Sequence, residues 1–274
     1  MMKMKKFLFI FLPLMVIALI LIPNVYGKRA KVAYIYYNHT NDAESFKSLL
    51  DDNGFPTNLI NITTIETGTF NGYDIIIIGH NTGSDGIWRG TDLQISIIND
   101  SDLPIIGLGN GGYIFFGSNG LNLRIGYNWG GSVFSTTEID VINSSHIIFN
   151  TPNDIPSGTI QLYASGWTTD LSVFQRQRVY YLNMTIVPAN IEIFGKVPSS
   201  SSRCCLLNQD YRYFLWGFIE SRGRMTDIGT DLFTNVVNFY ATEESKGISG
   251  YNLFILIGII SVSTIIVLKK KSKK

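Results

Sequence analysis

Leu103-Pro-Ile-Ile-Gly-Leu-Gly-Asn-Gly-Gly-Tyr113 decides how this chain is read. A short apolar run entering a Gly-x-x-x-Gly turn has the shape of a strand-turn-helix elbow. In such an elbow small flanking residues let the backbone take a strained turn that holds the central side chain above a sheet. Here the flanks are Gly107 and Gly111, and the central position is Gly109, which has no side chain. Two other readings of these glycines stand beside this one. Gly107, Gly109 and Gly112 satisfy Gly-x-Gly-x-x-Gly, but a dinucleotide fingerprint needs the first strand of a βαβ unit and an acid about twenty residues further on. At least two strands precede this one and no acidic residue lies between Asp102 and Glu138, so no nicotinamide or flavin cofactor is expected. The glycines equally suit close packing of a helix on a strand.

Working outward, Asp74-Ile-Ile-Ile-Ile-Gly79 is a continuous apolar run, the mark of a strand buried on both faces of a parallel sheet. Lys31 to Tyr37 reads as a strand, Asn41 to Asp52 as a helix closed by Asn53-Gly54, and Asn58 to Thr64 as a short strand. Trp88 to Asn99 reads as a helix, and Gly111 to Phe116 as the helix leaving the elbow. This order predicts a three-layer α/β domain of flavodoxin-like type with a mostly parallel sheet. From Ser132 the texture changes. Ser135 to Ile142, Thr159 to Ala164, Val179 to Met184 and Ile191 to Phe194 alternate, or carry β-branched and aromatic residues between turn signals, and predict an antiparallel extension. Tyr211 to Phe218 then rejoins the sheet and Thr226 to Tyr240 covers it.

The stretch from Pro104 to Ile114 resembles the elbow of the class I glutamine amidotransferase-like superfamily, where a cysteine stands at the place of Gly109. That family also carries a His-Pro-Glu near its C-terminal end. The nearest match is Tyr213-Phe-Leu-Trp-Gly-Phe-Ile-Glu220, with Ile219 in the place of the histidine. A thiolate needs a base to activate it and a base needs something to activate, so the joint absence is self-consistent. Gly223 to Phe239 resembles the closing helix of such domains, and the likeness spans residues 31–241. The resemblance implies a flavodoxin-like domain with no catalytic residues at the elbow.

The termini predict where the domain sits. Residues 1–27 hold a basic start, an uncharged apolar core and small residues before Lys28, the pattern of a secretory signal or uncleaved anchor. Residues 28–243 form the exterior domain, 244–250 a polar linker, 251–268 an uncharged run, and 269–274 a tail with five lysines. The run reaches about 27 Å as a helix at 1.5 Å per residue, enough for a thin bilayer. Lysines beside a span stay cytoplasmic, so the domain is expected outside, anchored at the cell membrane. Eight of the 22 Lys and Arg lie in the terminal segments, leaving 14 against all 21 Asp and Glu between residues 28 and 250, a formal charge of −7. Such a surface repels nucleic acid.

Asn-x-Ser/Thr sequons at Asn38, Asn61, Asn99, Asn143 and Asn183 all fall in the exterior part and are glycosylation candidates. Cys204 and Cys205 are adjacent and cannot staple distant elements, so one inward-facing and one outward-facing strand residue are expected. No His-Glu-x-x-His or paired Cys/His spacing suggests a metal, and no cofactor is expected.

Ligands of open α/β sheets collect at the C-terminal strand ends. That rule nominates His80, Asn81, Asp85, Gly109, Asn110, Gly111 and Glu220 as ligand-binding residues. His80 is the histidine placed where a general base would be useful, directly after a buried strand. Three functional readings follow. The first is an inactive amidotransferase-like domain that binds a ligand or protein partner at the cell surface. The second is a hydrolase of surface glycans or peptides in which His80 or Asp85 activates water, and the third is a structural envelope module.

Overall fold

The computed structural model describes residues 30–165, 178–219 and 221–242. Its strands are, in chain order, β1 (Val32–Tyr36), β2 (Thr57–Asn61), β3 (Ile75–Ile78), β4 (Gly83–Ser84), β5 (Ile87–Trp88), β6 (Ile105–Leu108) and β7 (Gly131–Ser135). There follow β8 (Glu138–Val141), β9 (Thr159–Gln161), β10 (Arg178–Asn183), β11 (Ile191–Lys196), β12 (Arg203–Gln209) and β13 (Tyr213–Trp216). The helices are α1 (Thr40–Asp52), α2 (Asp92–Asn99), α3 (Gly109–Phe116) and α4 (Asp227–Ala241).

The parallel half of the main sheet runs β2-β1-β3-β6-β13. Counted among themselves these strands have the order 2-1-3-4-5, the doubly wound flavodoxin-like arrangement. Successive isoleucines of β3 face opposite ways: Ile75 and Ile77 pack with Phe46, Leu50, Phe233 and Val237 of α1 and α4, while Ile76 and Ile78 pack with Ile98 of α2 and Phe115 of α3. Two apolar faces covered by helices make the three layers. Each isoleucine so buried contributes roughly 1.5–3 kcal/mol, which is why an uninterrupted apolar run is stable here and nowhere on a half-exposed sheet.

Beyond β13 the sheet turns antiparallel through β12, β11, β8 and β9. β10 pairs with β12 and carries β7 on its other side. The segment expected as one strand over Ser135 to Ile142 is two: it divides at Thr136-Thr137, and β7 and β8 join different parts of the sheet. The cysteines do point to opposite faces of β12, Cys205 toward the α4 side and Cys204 toward the other, but both faces are covered and both residues are fully buried. Neither thiol is outward-facing.

The helix expected over Trp88 to Asn99 is shorter. Thr91 caps it with a full capping box, its hydroxyl accepting from Gln94 N while the Gln94 side chain accepts from Thr91 N, so α2 starts at Asp92. Residues 83–88 instead form the small hairpin β4-β5, whose turn residues Asp85 and Gly86 both have positive φ, +51° and +78°. An Asp-Gly pair is well suited to that geometry. The elbow helix starts two residues earlier than expected, at Gly109.

Among the described residues no helix is long and apolar enough to cross a membrane. The expected leader (1–27), linker (244–250), span (251–268) and tail (269–274) lie outside the described residues, as does Glu220.

Candidate functional site

At the C-terminal ends of β1, β3 and β6 the loops enclose a crevice of about 550 Å³. The elbow contributes Asn110 to its lining. Gly109 has φ +46°, the left-handed region that side-chain-bearing residues avoid, so the strained turn expected from the sequence is present. A Cβ on Gly109 would lie 2.5 Å from Ile219 Cγ2, 2.8 Å from Ile219 Cα and 2.8 Å from the Phe218 carbonyl oxygen. Ile219 therefore occupies the space into which a side chain at position 109 would project. The two positions that the sequence singled out, 109 and 219, meet in one packing contact.

The other elbow glycines serve packing. A Cβ on Gly107 would meet Gly112 Cα at 2.6 Å, and one on Gly111 would collide with the Gly79 carbonyl and Thr82 Oγ1. Only hydrogen at these positions lets α3 lie directly on β6 and on the turn after β3. Gly111, nominated as a ligand contact, is thus committed to that close approach.

The turn after β3 is built differently. The imidazole of His80 lines the crevice and its Nδ1 lies 3.2 Å from Asp42 Oδ2 on α1; the two side chains are 14% and 13% exposed. In a neutral imidazole a carboxylate on one ring nitrogen holds the proton there and leaves the other nitrogen as a lone-pair acceptor. Asp42 Oδ1 is buried with no hydrogen-bond partner among the described residues. Asn81 Oδ1 accepts from Tyr37 N at 3.1 Å, and Asn110 Nδ2 donates to the Gly83 carbonyl at 2.8 Å. These amides line the crevice but spend those groups on tying loops together. Asp85, at the hairpin tip, accepts from Ser84 Oγ at 2.9 Å.

One wall is phenolic. Tyr113 of α3 stacks on Tyr180 of β10 with ring centres 4.8 Å apart and meets Tyr127 edge-on at 6.0 Å. Burial, and then the neighbouring phenols, push the Tyr113 hydroxyl up to about 12. Burial also raises Tyr180, against the lowering effect of Arg178. Both hydroxyls are neutral across the physiological range and able to donate. Cations enter from two directions: Arg89 follows the hairpin, with its backbone N–H on the Thr82 carbonyl at 2.9 Å, and Arg178 opens β10.

Of the residues nominated from sequence, His80, Asn81, Asp85 and Asn110 meet at the crevice, whereas Gly109 is not among its lining residues and packs against Ile219. Glu220 lies outside the described residues. Sequence reading missed Arg89, because it was placed inside a helix; the Asp85-Gly86 pair is the signal that would have marked a hairpin there. Arg178, Tyr113, Tyr127 and Tyr180 carry no local signal, since register and tertiary packing bring them in. His146 is remote from the crevice: burial lowers it from the usual 6.5 while Glu192, 3.8 Å away, opposes the shift. The thiols are also remote; burial pushes Cys204 up to about 11 and Cys205 higher still.

The sequon residues Asn38, Asn143 and Asn183 are exposed. Asn61 and Asn99 are half-buried with their amides engaged, Asn61 donating to the Tyr37 carbonyl and Asn99 accepting from the Tyr213 hydroxyl. Among the described residues no group of three or more His, Cys, Asp or Glu could hold a metal ion.

No family model matches the chain, and no curated protein matches it. Among solved structures the chain is similar to a GMP synthase subunit from Thermoplasma acidophilum: 16% identity, TM-score 0.49, 80% of this chain and 98% of that one. It is also similar to PurLQS from Thermotoga maritima, at 12% identity and TM-score 0.47 over 77% of this chain and 99% of that one. A third is a glutamine amidotransferase from Thermotoga maritima, at 10% identity and TM-score 0.41 over 81% and 86%.

Proposed function

We propose that this chain is an amidotransferase-like domain whose elbow has become a packing element, leaving the crevice above it as a binding site. We further propose that residues 251–268 anchor the domain in the cell membrane with the crevice facing outward. The observation that carries the first part is the 2.5 Å separation between a Cβ at position 109 and Ile219 Cγ2. Among the described residues a side chain at position 109 meets Ile219 at that distance, which leaves it no room to act as a nucleophile. The acidic balance between residues 28 and 250, flanked by lysine-bearing apolar segments, supports the second part.

The test is covalent. Full-length protein in detergent micelles, treated with a glutamine-like chloroketone and analysed by peptide mass spectrometry, is expected to carry no adduct in the peptide holding Gly109. The thiols of Cys204 and Cys205 are buried and high in pKa, so they too are expected to stay unmodified until the protein is denatured. An adduct on the elbow or on a neighbouring crevice residue overturns the reading.

One observation favours a second reading, water activation by His80. Asp42 orients His80 as an acid orients the base in a hydrolytic triad. If that reading holds, turnover of an ester or glycoside substrate will depend on His80 and be indifferent to Cys204→Ser and Cys205→Ser.

A further inference from the structure

We propose that the crevice takes a small oxyanion, a carboxylate or phosphate on a metabolite-sized molecule, with the guanidinium groups of Arg89 and Arg178 as its charge partners. The proposal rests on reading the crevice as a binding site and adds the class of ligand.

The carrying observation is where the uncommitted cations are. Among the described residues most basic side chains are engaged by the protein itself. Lys31, Arg124 and Arg203 lie over the rings of Tyr73, Trp129 and Phe134. Lys47 pairs with Asp51, while Lys196, Arg212 and Arg224 donate to backbone carbonyls. Arg89, Arg178 and Arg222 have no such side-chain partner among the described residues. The first two line the crevice, and Arg222 sits in the turn after β13, at the same end of the sheet.

A domain with a formal charge of −7 between residues 28 and 250 thus has, among the described residues, its unsatisfied arginines where the fold collects ligands. Among the described residues Asp85 is the single carboxylate that lines the crevice, and the neutral phenols of Tyr113 and Tyr180 line it as well. A planar five-donor fork suits carboxylate and phosphate alike. A crevice of about 550 Å³ admits a metabolite-sized body.

The experiment follows thermal unfolding of full-length protein in detergent micelles by intrinsic fluorescence, with inorganic phosphate or acetate titrated at ionic strength held constant with chloride. At least one of the two is expected to raise the midpoint saturably. Arg89→Ala or Arg178→Ala alone should weaken the apparent affinity by about tenfold or more, and the double variant should abolish the rise. Arg89→Lys should keep part of it. Both side chains are exposed, so the unliganded midpoints should match wild type. Response to phosphate alone assigns a phosphate-bearing ligand, to acetate alone a carboxylate, and to both the shared oxyanion chemistry. No rise above the chloride control, or an equal rise in the double variant, overturns the proposal. Neither result bears on whether the elbow reacts with an electrophile, so the two readings fail separately.

Discussion

The turn after β6 and the turn after β3 stand side by side at one end of the parallel sheet, and their interiors differ. At the first, Gly109 meets Ile219 and the space above the strand end is filled with hydrocarbon. At the second, His80 meets Asp42 and the imidazole remains on the wall of an open crevice. The first has the packing of a core, where a single added carbon is felt, and the second has the polarity and access of a site. On the proposed reading the polar, open site therefore lies one strand over from the place where the elbow motif alone would put it.

The largest effect that can break this comparison lies in the elbow helix. A Cβ on Gly112 would collide with the backbone of Gly107, which no rotamer change relieves. Gly112→Ala is expected to destabilise the domain by more than about 4 kcal/mol, enough to abolish a cooperative unfolding transition. A normal melt would mean that α3 does not sit on β6 as described. A smaller effect is expected at the open turn. His80→Ala leaves the Asp42 carboxylate without its partner and should lower stability by about 1–3 kcal/mol in a denaturant melt. Asp42→Asn should do less, because the amide can still meet the imidazole. A loss from His80→Ala as great as from Gly112→Ala would erase the distinction between packed and open turn.

The smallest effect separates His80 from the other well-buried histidine. Burial holds His146 below the usual 6.5, so the folded state binds fewer protons there than the unfolded state once pH falls under that value. Stability should therefore decline as pH drops below 6.5 and level off beneath the folded-state value. His146→Phe should flatten that slope in urea melts taken at successive pH values, and an unchanged slope would remove His146 from the account.

The parallel half of the fold was legible because its signals are local. Asp74 to Gly79 and Leu103 to Leu108 cannot be anything but buried strands once helices cover both faces, and Gly109 announced the strained turn. The extension was legible as β texture but not as pairing. Nothing near Thr136 says that β7 and β8 part company, since long-range register decides it. The same limit applies to the site. His80, Asn81, Asp85 and Asn110 follow from one topological rule, whereas Arg178 and Tyr180 arrive on β10, more than sixty residues from the elbow. Ile219 was visible as the residue that the resemblance sets against a histidine. Its contact with Gly109 was not.

That contact is best measured by a double-mutant cycle on Gly109→Ala and Ile219→Ala, read as unfolding free energies from urea melts. Alone, Gly109→Ala carries both backbone strain at positive φ and the clash with Ile219, and is expected to lower stability by about 2–4 kcal/mol. In the Ile219→Ala background only the strain remains, about 1–2 kcal/mol, so the two substitutions should couple by at least about 1 kcal/mol. Additive effects would contradict the account, because they would mean that Ile219 does not fill the place of the elbow's side chain.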